Sequence, residues 1–264
     1  MKIRRIKTEK IKNARDLSGF PAAGGKMIRK KSLIRSGHLA NATESDLRLL
    51  CDEYSLGTVI DLRTEAEIKE KPEVLPENIA AFSIPLLDNS FLGIARDEFS
   101  IRDWFNVFKD TDKKPADVFC EMYDALVFGD RSKELIPKFF EILLENNGFA
   151  VLWHCSAGKD RVGITTMLLL LALGVEREII YKDYIATRYF TAKDIILMRV
   201  FSPFVLRNIR LVRCLAVLMG VKRVYLEKIF QRIDNEYESV EDFFEKQYGI
   251  SRDKLNMLRD KYLV

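Results

Sequence analysis

Apolar residues recur with the period of amphipathic helices along most of the chain. One run covers residues 47–54, and Thr43 with Asp46 forms a capping box just ahead of it. Two further runs cover 119–126 and 136–143. The pattern therefore predicts three helices before residue 145.

Short apolar runs rich in β-branched residues lie between these helices, at 58–62, 79–84 and 149–153. Each is bounded by turn residues, which is typical of strands buried in a mostly parallel sheet. Strands that alternate with helices indicate an α/β fold, with a central sheet flanked by helices.

The strand pattern stops after Gly174. The run at 226–233 has helical spacing, and Ser239 and Ser251 stand where the N-caps of two short helices are expected. The C-terminal third is therefore predicted to be helical.

The length of 264 residues suits one large domain, and no linker or internal repeat divides the chain, so residues 1–264 are predicted to form a single domain. With 48% hydrophobic and 31% charged residues, the composition is that of a globular protein. A net charge of +4 is too small to indicate nucleic-acid binding.

The longest stretch without charge, Val162–Val175, has 14 residues, whereas a membrane-spanning helix needs about 20. The basic N-terminus continues into more charged residues instead of an apolar segment, so it is not a Sec signal peptide. We therefore expect a cytoplasmic protein, and the sequence leaves export by another route open.

The residues with the most versatile side-chain chemistry are few: Cys51, Cys120, Cys155, Cys214, His38 and His154. The cysteines are widely spaced without a Cys-x-x-Cys pair, which argues against a zinc site or a disulfide framework. We expect neither a metal nor a cofactor. Only Cys155 has a catalytic context, and the other three cysteines are expected to be structural.

Residues 154–163, His-Cys-Ser-Ala-Gly-Lys-Asp-Arg-Val-Gly, lie between an apolar strand and an apolar helix. Cys155 and Arg161 are separated by five residues, enough chain to wrap around a tetrahedral oxyanion. We expect the loop N–H groups to point inward, where the helix N-terminus adds positive potential. Gly158 allows a turn that a side chain would obstruct.

The residue types in this loop suit phosphate chemistry. A helix N-terminus and nearby cations stabilise a thiolate, which makes Cys155 the candidate nucleophile. Arg161 offers a planar fork for two phosphoryl oxygens. His154 is expected to orient the cysteine backbone, and Lys159 to add charge at the rim. The expected substrate-binding residues are Ser156, Ala157, Gly158 and Lys159.

The pattern His-Cys-x5-Arg resembles the signature of cysteine-dependent phosphatases. More narrowly, residues 157–161 resemble the loop of a bacterial family of tyrosine and dual-specificity phosphatases with mycobacterial and Listeria members. Segments 13–19, 35–39 and 61–67 resemble other motifs of that family, in the same order. The resemblance covers nearly the whole chain.

This resemblance implies a cysteine-phosphatase fold with a helical lid after the phosphate loop, and metal-free hydrolysis of phosphomonoesters through a phosphocysteine. In this family the loop aspartate, here Asp160, is the general acid. The lysine, here Lys159, accompanies activity on phosphoinositides as well as phosphoproteins. The implied partners are phosphotyrosine, phosphoserine or phosphothreonine proteins or phosphoinositides, with inorganic phosphate as product.

Other carboxylates have weaker claims to a role. Asp61 ends a predicted strand, where it can bind loop donors, position water or serve as a turn or helix-cap carboxylate. Asp88 and Asp130 are alternative general acids on predicted loops.

Val162 departs from the family pattern, which has Thr or Ser directly after the arginine to stabilise the thiolate and aid the second step. The departure keeps a rival hypothesis open, a pseudophosphatase that binds phosphorylated partners without turnover. Sulfur transfer by a rhodanese-type loop is opposed by Lys159-Asp160-Arg161. A Walker nucleotide loop is excluded because Trp153 occupies the place of its first glycine.

The segment Thr191–Gly220 combines many large apolar residues with a single acid, Asp194. Its basic residues are Lys193, Arg199, Arg207, Arg210 and Arg213. One interpretation is a solvated basic face on core helices. The other is a helical lid that meets a phosphate-rich substrate or makes peripheral contact with a membrane.

Overall fold

The computed structural model describes residues 3–87, 115–190, 196 and 220–264. The strands are β1 (Arg4–Arg5), β2 (Arg15–Asp16), β3 (Leu33–Gly37), β4 (Leu56–Asp61), β5 (Ala80–Ser83) and β6 (Ala150–Cys155). They form one sheet in the order β1-β2-β3-β6-β4-β5. Strands β3, β6, β4 and β5 are parallel, and β1 and β2 add an antiparallel edge. The predicted mostly parallel α/β sheet is thus confirmed.

The described helices are α1 (Glu44–Arg48), α2 (Glu65–Glu70), α3 (Pro115–Phe128), α4 (Asp130–Glu145), α5 (Asp160–Ala172), α6 (Arg177–Phe190), α7 (Arg223–Glu236), α8 (Val240–Tyr248) and α9 (Arg252–Tyr262). A π-helical turn at Leu49–Glu53 continues α1. The described residues after Gly174 contribute helices α6 to α9 and no strand of the sheet, as the pattern predicts.

The helix starts predicted from capping residues are confirmed. Thr43 and Asp46 exchange the two side-chain-to-backbone hydrogen bonds of a capping box. Ser239 and Ser251 each accept the backbone N–H three residues later, at the starts of α8 and α9. Such caps stabilise a helix by about 1 kcal/mol each because they satisfy N–H groups that have no partner within the helix.

Strand β6 lies at the centre of the sheet and is buried along its whole length. The Trp153 ring meets Phe139 of α4 edge to face, and its Nε1 donates to the Thr166 hydroxyl of α5 at 3.1 Å. Helix α5 is buried from Arg161 to Ala172, as expected of a segment that is apolar on all sides. The loop between β6 and α5 is therefore anchored at both ends in the core.

One prediction about the strands is wrong in part, and one strand was not predicted. The run at 79–84 forms strand β5 as predicted, but this strand is not buried, since it lies at the edge of the sheet and all four of its residues are exposed. Strand β3 is missing from the hydrophobic pattern because Arg35 interrupts it, yet this arginine is completely buried.

Several expectations concern residues that the structure does not describe. Asp88 and Cys214 lie outside the described residues, as does the segment Thr191–Gly220 except for Ile196 and Gly220. Among the described residues, no helix combines the length and hydropathy needed to cross a membrane.

Candidate active site

The structure places Cys155 and Arg161 at opposite ends of one loop. Cys155 is the last residue of β6 and is 3% exposed, and Arg161 lies in the first turn of α5. Among the described residues, the backbone N–H groups of Ser156, Ala157 and Gly158 have no acceptor. A loop with unsatisfied donors at a helix N-terminus is suited to hold an anion.

Gly158 lets this loop lie directly against β3. Its φ of +66° is in the left-handed region, and a Cβ there would lie 2.4 Å from the carbonyl oxygen of Ser36. The Gly158 carbonyl accepts hydrogen bonds from Asn13 Nδ2 at 2.6 Å and Arg35 Nη2 at 3.0 Å. Two side chains of the N-terminal segment, Asn13 and Arg35, therefore hold the loop against the sheet.

A buried ion-pair network lies beneath the loop. Asp183 of α6 accepts from Arg35 Nη1 at 2.6 Å and from Arg15 Nε at 2.7 Å. Burial and the charge of Arg15 lower the pKa of Arg35 to about 10, so it stays protonated at neutral pH. Burial opposes ionisation of Asp183, but the two arginines outweigh it and lower the pKa of that carboxyl. Two arginines paired with one aspartate leave a net positive charge under the loop.

Arg161 is paired with Glu67 of α2, and both side chains are buried. Nη2 lies 2.6 Å from Glu67 Oε1, and Nη1 donates to Oε2. Burial works against the carboxylate, but the hydrogen bonds and charge of Arg161, with a bond from Ser156, lower the pKa of Glu67 to about 2. Burial likewise disfavours the charged arginine, and Glu67 with Cys155 outweighs it and raises the pKa of Arg161.

Asp160 begins α5 beside the loop, and Lys159 directly precedes the helix. Lys159 Nζ lies 3.3 Å from Asp160 Oδ2 and 6.0 Å from the centre of the Phe119 ring. Lys159 is only 7% exposed, so its expected position at the rim is wrong. The Asp160 side chain is 23% exposed, so its carboxyl group is partly open to solvent.

The His154 ring lies between two carboxylates. Its Nε2 lies 3.1 Å from Glu73 Oε2, and its Nδ1 lies 3.6 Å from Asp61 Oδ1. Arg63 Nη2 lies 2.8 Å from Asp61 and 3.0 Å from Glu73, so one guanidinium is paired with both carboxylates. Asp61 thus belongs to an ion-pair network with Arg63, beside the His154 ring.

Atoms of Asp61, Glu73 and His154 lie within 4.8 Å of one another, a spacing at which three such residues could bind a metal ion. Both carboxylates already bind the Arg63 guanidinium, and the histidine meets them with different ring nitrogens. A divalent ion there would compete with the buried Arg63 guanidinium for both carboxylates. These residues therefore do not fit a metal.

Val162 is completely buried next to Arg161. Thr165 Oγ1 donates to backbone carbonyls of the helix, 3.1 Å from Arg161 O and 3.2 Å from Val162 O. Thr166 Oγ1 accepts from Trp153. Both neighbouring hydroxyls are therefore engaged within the core, and neither is shown to replace the missing one.

The remaining candidates lie away from the loop. Asp130 starts α4 with a fully exposed side chain that pairs with Lys133. Cys51 and Cys120 are half-buried against the hydrophobic core, as expected of structural cysteines.

The hydrophobic and motif analysis assigned no role to four site residues: Asn13, Arg15, Arg35 and Glu67. All four lie within the segments 13–19, 35–39 and 61–67 that carry the family resemblance. That overlap was the signal available in the sequence. Asp183 had no such signal, because nothing in its local pattern distinguishes it from a surface carboxylate.

Comparison with known proteins agrees with this geometry. A model of the tyrosine phosphatase family matches residues 6–264. The chain belongs to this family. It is therefore a phosphatase of the protein-tyrosine-phosphatase type, and the enzyme class expected from the loop is confirmed.

Three relatives illustrate the family. A protein of Cupriavidus necator named as a tyrosine-protein phosphatase is 29% identical over 96% of this chain and 86% of its own length. The triple specificity protein phosphatase PtpB of Mycobacterium tuberculosis is 31% identical over 42% of this chain and 43% of its own. A tyrosine-protein phosphatase of Nostoc commune is 28% identical over 64% of this chain and 53% of its own.

Proposed function

We propose that the phosphatase reaction of this chain proceeds through a phosphocysteine on Cys155. The supporting observation is the loop itself, which combines a buried cysteine, N–H groups without an acceptor among the described residues, and Arg161 at the start of the following helix. The positive charge of the network beneath the loop favours binding of a phosphate dianion.

In the first step the Cys155 thiolate attacks phosphorus, the P–S bond forms and the ester P–O bond breaks. The Asp160 carboxyl gives its proton to the leaving oxygen. In the second step water attacks phosphorus, the P–S bond breaks to restore the thiolate, and Asp160 takes the proton from the water. The products are the alcohol and inorganic phosphate. Arg161 and the loop N–H groups stabilise the equatorial oxygens in both steps.

The proposed substrates are phosphotyrosine proteins first, with phosphoserine, phosphothreonine and phosphoinositides as further candidates. One relative is named for triple specificity, which supports a broad panel. Lys159, buried beside Asp160, adds a second cation at the site.

The test is hydrolysis of matched phosphotyrosine, phosphoserine and phosphothreonine peptides and of phosphoinositides, with and without a chelator. Cys155→Ser should abolish hydrolysis but keep phosphate-ester binding, because the loop and Arg161 remain. Cys120→Ser, a half-buried cysteine on α3, is the control and should behave as the parent. Either of two results would refute the mechanism: turnover by Cys155→Ser at the parental rate, or loss of the parent's turnover when the chelator is added.

A second candidate function is a module that binds phosphorylated partners without turnover. The observation in its favour is Val162, together with the engagement of Thr165 and Thr166 elsewhere. Binding of a phosphopeptide with neither product release nor a trapped phosphoenzyme would establish this function instead.

A further inference from the structure

A buried tyrosine on α3 contacts the proposed proton donor. The Tyr123 hydroxyl donates a hydrogen bond to Asp160 Oδ1 at 2.5 Å. The two residues are 37 positions apart, and the Tyr123 side chain is completely buried. A side chain buried on one helix is thus hydrogen-bonded to a carboxyl group at the mouth of the phosphate loop.

Tyr123 is itself held by a second tyrosine. Its oxygen lies 2.6 Å from the hydroxyl oxygen of Tyr184 on α6. Because the one proton of Tyr123 is used on Asp160, Tyr184 is the donor of this bond. Burial raises the pKa of both phenols well above 10, so both keep their protons at neutral pH. The result is a directed chain from Tyr184 through Tyr123 to Asp160.

This chain makes the two oxygens of Asp160 unequal. Oδ1 accepts from Tyr123, whereas Oδ2 lies 3.3 Å from Lys159 Nζ. Oδ1 can accept from the phenol whether the carboxyl is ionised or protonated, so the transferable proton belongs on Oδ2. The contact also restricts rotation of the carboxyl group. A carboxyl group that rotates freely spends less time in the geometry needed for proton transfer.

We propose that Tyr123 is a positioning residue that fixes Asp160 for proton transfer to the leaving oxygen, with Tyr184 as its support. The proposal rests on the proposed function, in which Asp160 is the general acid. It predicts that loss of the Tyr123 hydroxyl lowers kcat/KM most for substrates whose leaving group must be protonated as it departs.

The chain offers a matched control in the same cluster. The Tyr225 ring centre lies 5.1 Å from that of Tyr123 and is equally buried. Its hydroxyl has no hydrogen-bond partner among the described residues. Tyr225→Phe therefore removes a hydroxyl from the same aromatic cluster without touching the chain that leads to Asp160.

The experiment compares kcat/KM for phenyl phosphate, whose phenol has a pKa of ~10, with that for 4-nitrophenyl phosphate, a better leaving group. The ratio of the two kcat/KM values does not depend on the fraction of folded enzyme, so the comparison remains valid for a partly unfolded variant. Tyr123→Phe should lower kcat/KM for phenyl phosphate about tenfold and for the activated ester less than twofold, as part of the 10²–10⁴-fold that a general acid contributes. Tyr225→Phe should leave the ratio unchanged.

Two further variants separate the possible failures. Asp160→Asn should shift the ratio in the same direction and further, and Tyr123→Phe should add nothing in the Asp160→Asn background. If Asp160→Asn leaves the ratio unchanged, the general-acid assignment fails and the role of Tyr123 fails with it. If Asp160→Asn shifts the ratio and Tyr123→Phe does not, only the positioning role is overturned. The same holds if the double variant loses as much kcat/KM as the product of the two single losses.

Discussion

The Glu67 carboxylate meets the end of the Arg161 guanidinium, with Oε1 at 2.6 Å from Nη2 and Oε2 bonded to Nη1. Both terminal nitrogens are thus held by α2, and these two bonds leave the Nε edge of the guanidinium unused. The Ser156 hydroxyl donates to the same carboxylate, which ties α2 to the phosphate loop as well. One buried carboxylate therefore orients the arginine and the loop together.

This relationship predicts an acid-sensitive part of the stability. On folding, burial disfavours ionised Glu67, but Arg161 outweighs it, and the pKa of Glu67 falls from 4.5 to about 2. Because the folded-state pKa is the lower one, the stabilisation is present above pH ~4.5 and is lost as the pH falls towards ~2; it amounts to about 3 kcal/mol. Glu67→Gln should remove it, as measured by urea unfolding across this pH range.

Glu65→Gln, at an exposed position of the same helix, is the control for that experiment. Its free energy of unfolding should follow the parental pH dependence. A Glu67→Gln variant that also follows the parental curve would show that the ion pair does not stabilise the fold.

Gly158→Ala should disrupt the phosphate loop. A left-handed φ costs a non-glycine residue about 1–2 kcal/mol, and at Gly158 the new Cβ would also lie 2.4 Å from Ser36 O. Gly249 has nearly the same φ, +65°, but nothing within 4 Å of its Cβ position, so Gly249→Ala isolates the backbone cost. We expect Gly158→Ala to lose phosphate binding by calorimetry while Gly249→Ala keeps it. Equal behaviour of the two variants would mean that the loop does not need close contact with β3.

Asp183→Asn should be strongly destabilising. It removes the only negative charge of the buried network and leaves Arg15 and Arg35 facing each other, a type of change that costs about 3–5 kcal/mol. Asp234→Asn, at a largely exposed ion pair with Arg177, should cost no more than about 1 kcal/mol. Thermal unfolding measures both. A loss for Asp183→Asn as small as that for Asp234→Asn would contradict a structural role for the network.

Val162 should make hydrolysis of the phosphocysteine slow. Without a hydroxyl at this position the second step becomes rate-limiting, so rapid mixing with an aryl phosphate should give a burst of phenol near one per active site. Val162→Thr should speed the second step and shrink the burst. Val175→Thr makes the same substitution at a buried position just beyond α5 and should change neither the rate of the second step nor the size of the burst. Absence of a burst in the parent, with no effect of Val162→Thr, would show that another group assists the second step.

The local sequence was sufficient to predict the centre of the site. The spacing of Cys155 and Arg161, the apolar run before them and the apolar run after them predict the strand, loop and helix that the structure shows. Thr43, Ser239 and Ser251 marked helix starts correctly. These features depend on neighbours a few residues apart, because a helix period, a strand run and a cap are all local interactions.

Only the tertiary structure decided which charged residues support the loop. Arg35 looks like a surface residue in its sequence window, but it is buried where Asp183, 148 positions away, accepts its hydrogen bond. Arg161 is matched with Glu67, 94 positions before it. The cost of burying a charge is decided by the partner that folding brings to it, and a hydrophobic pattern records no partner across such distances.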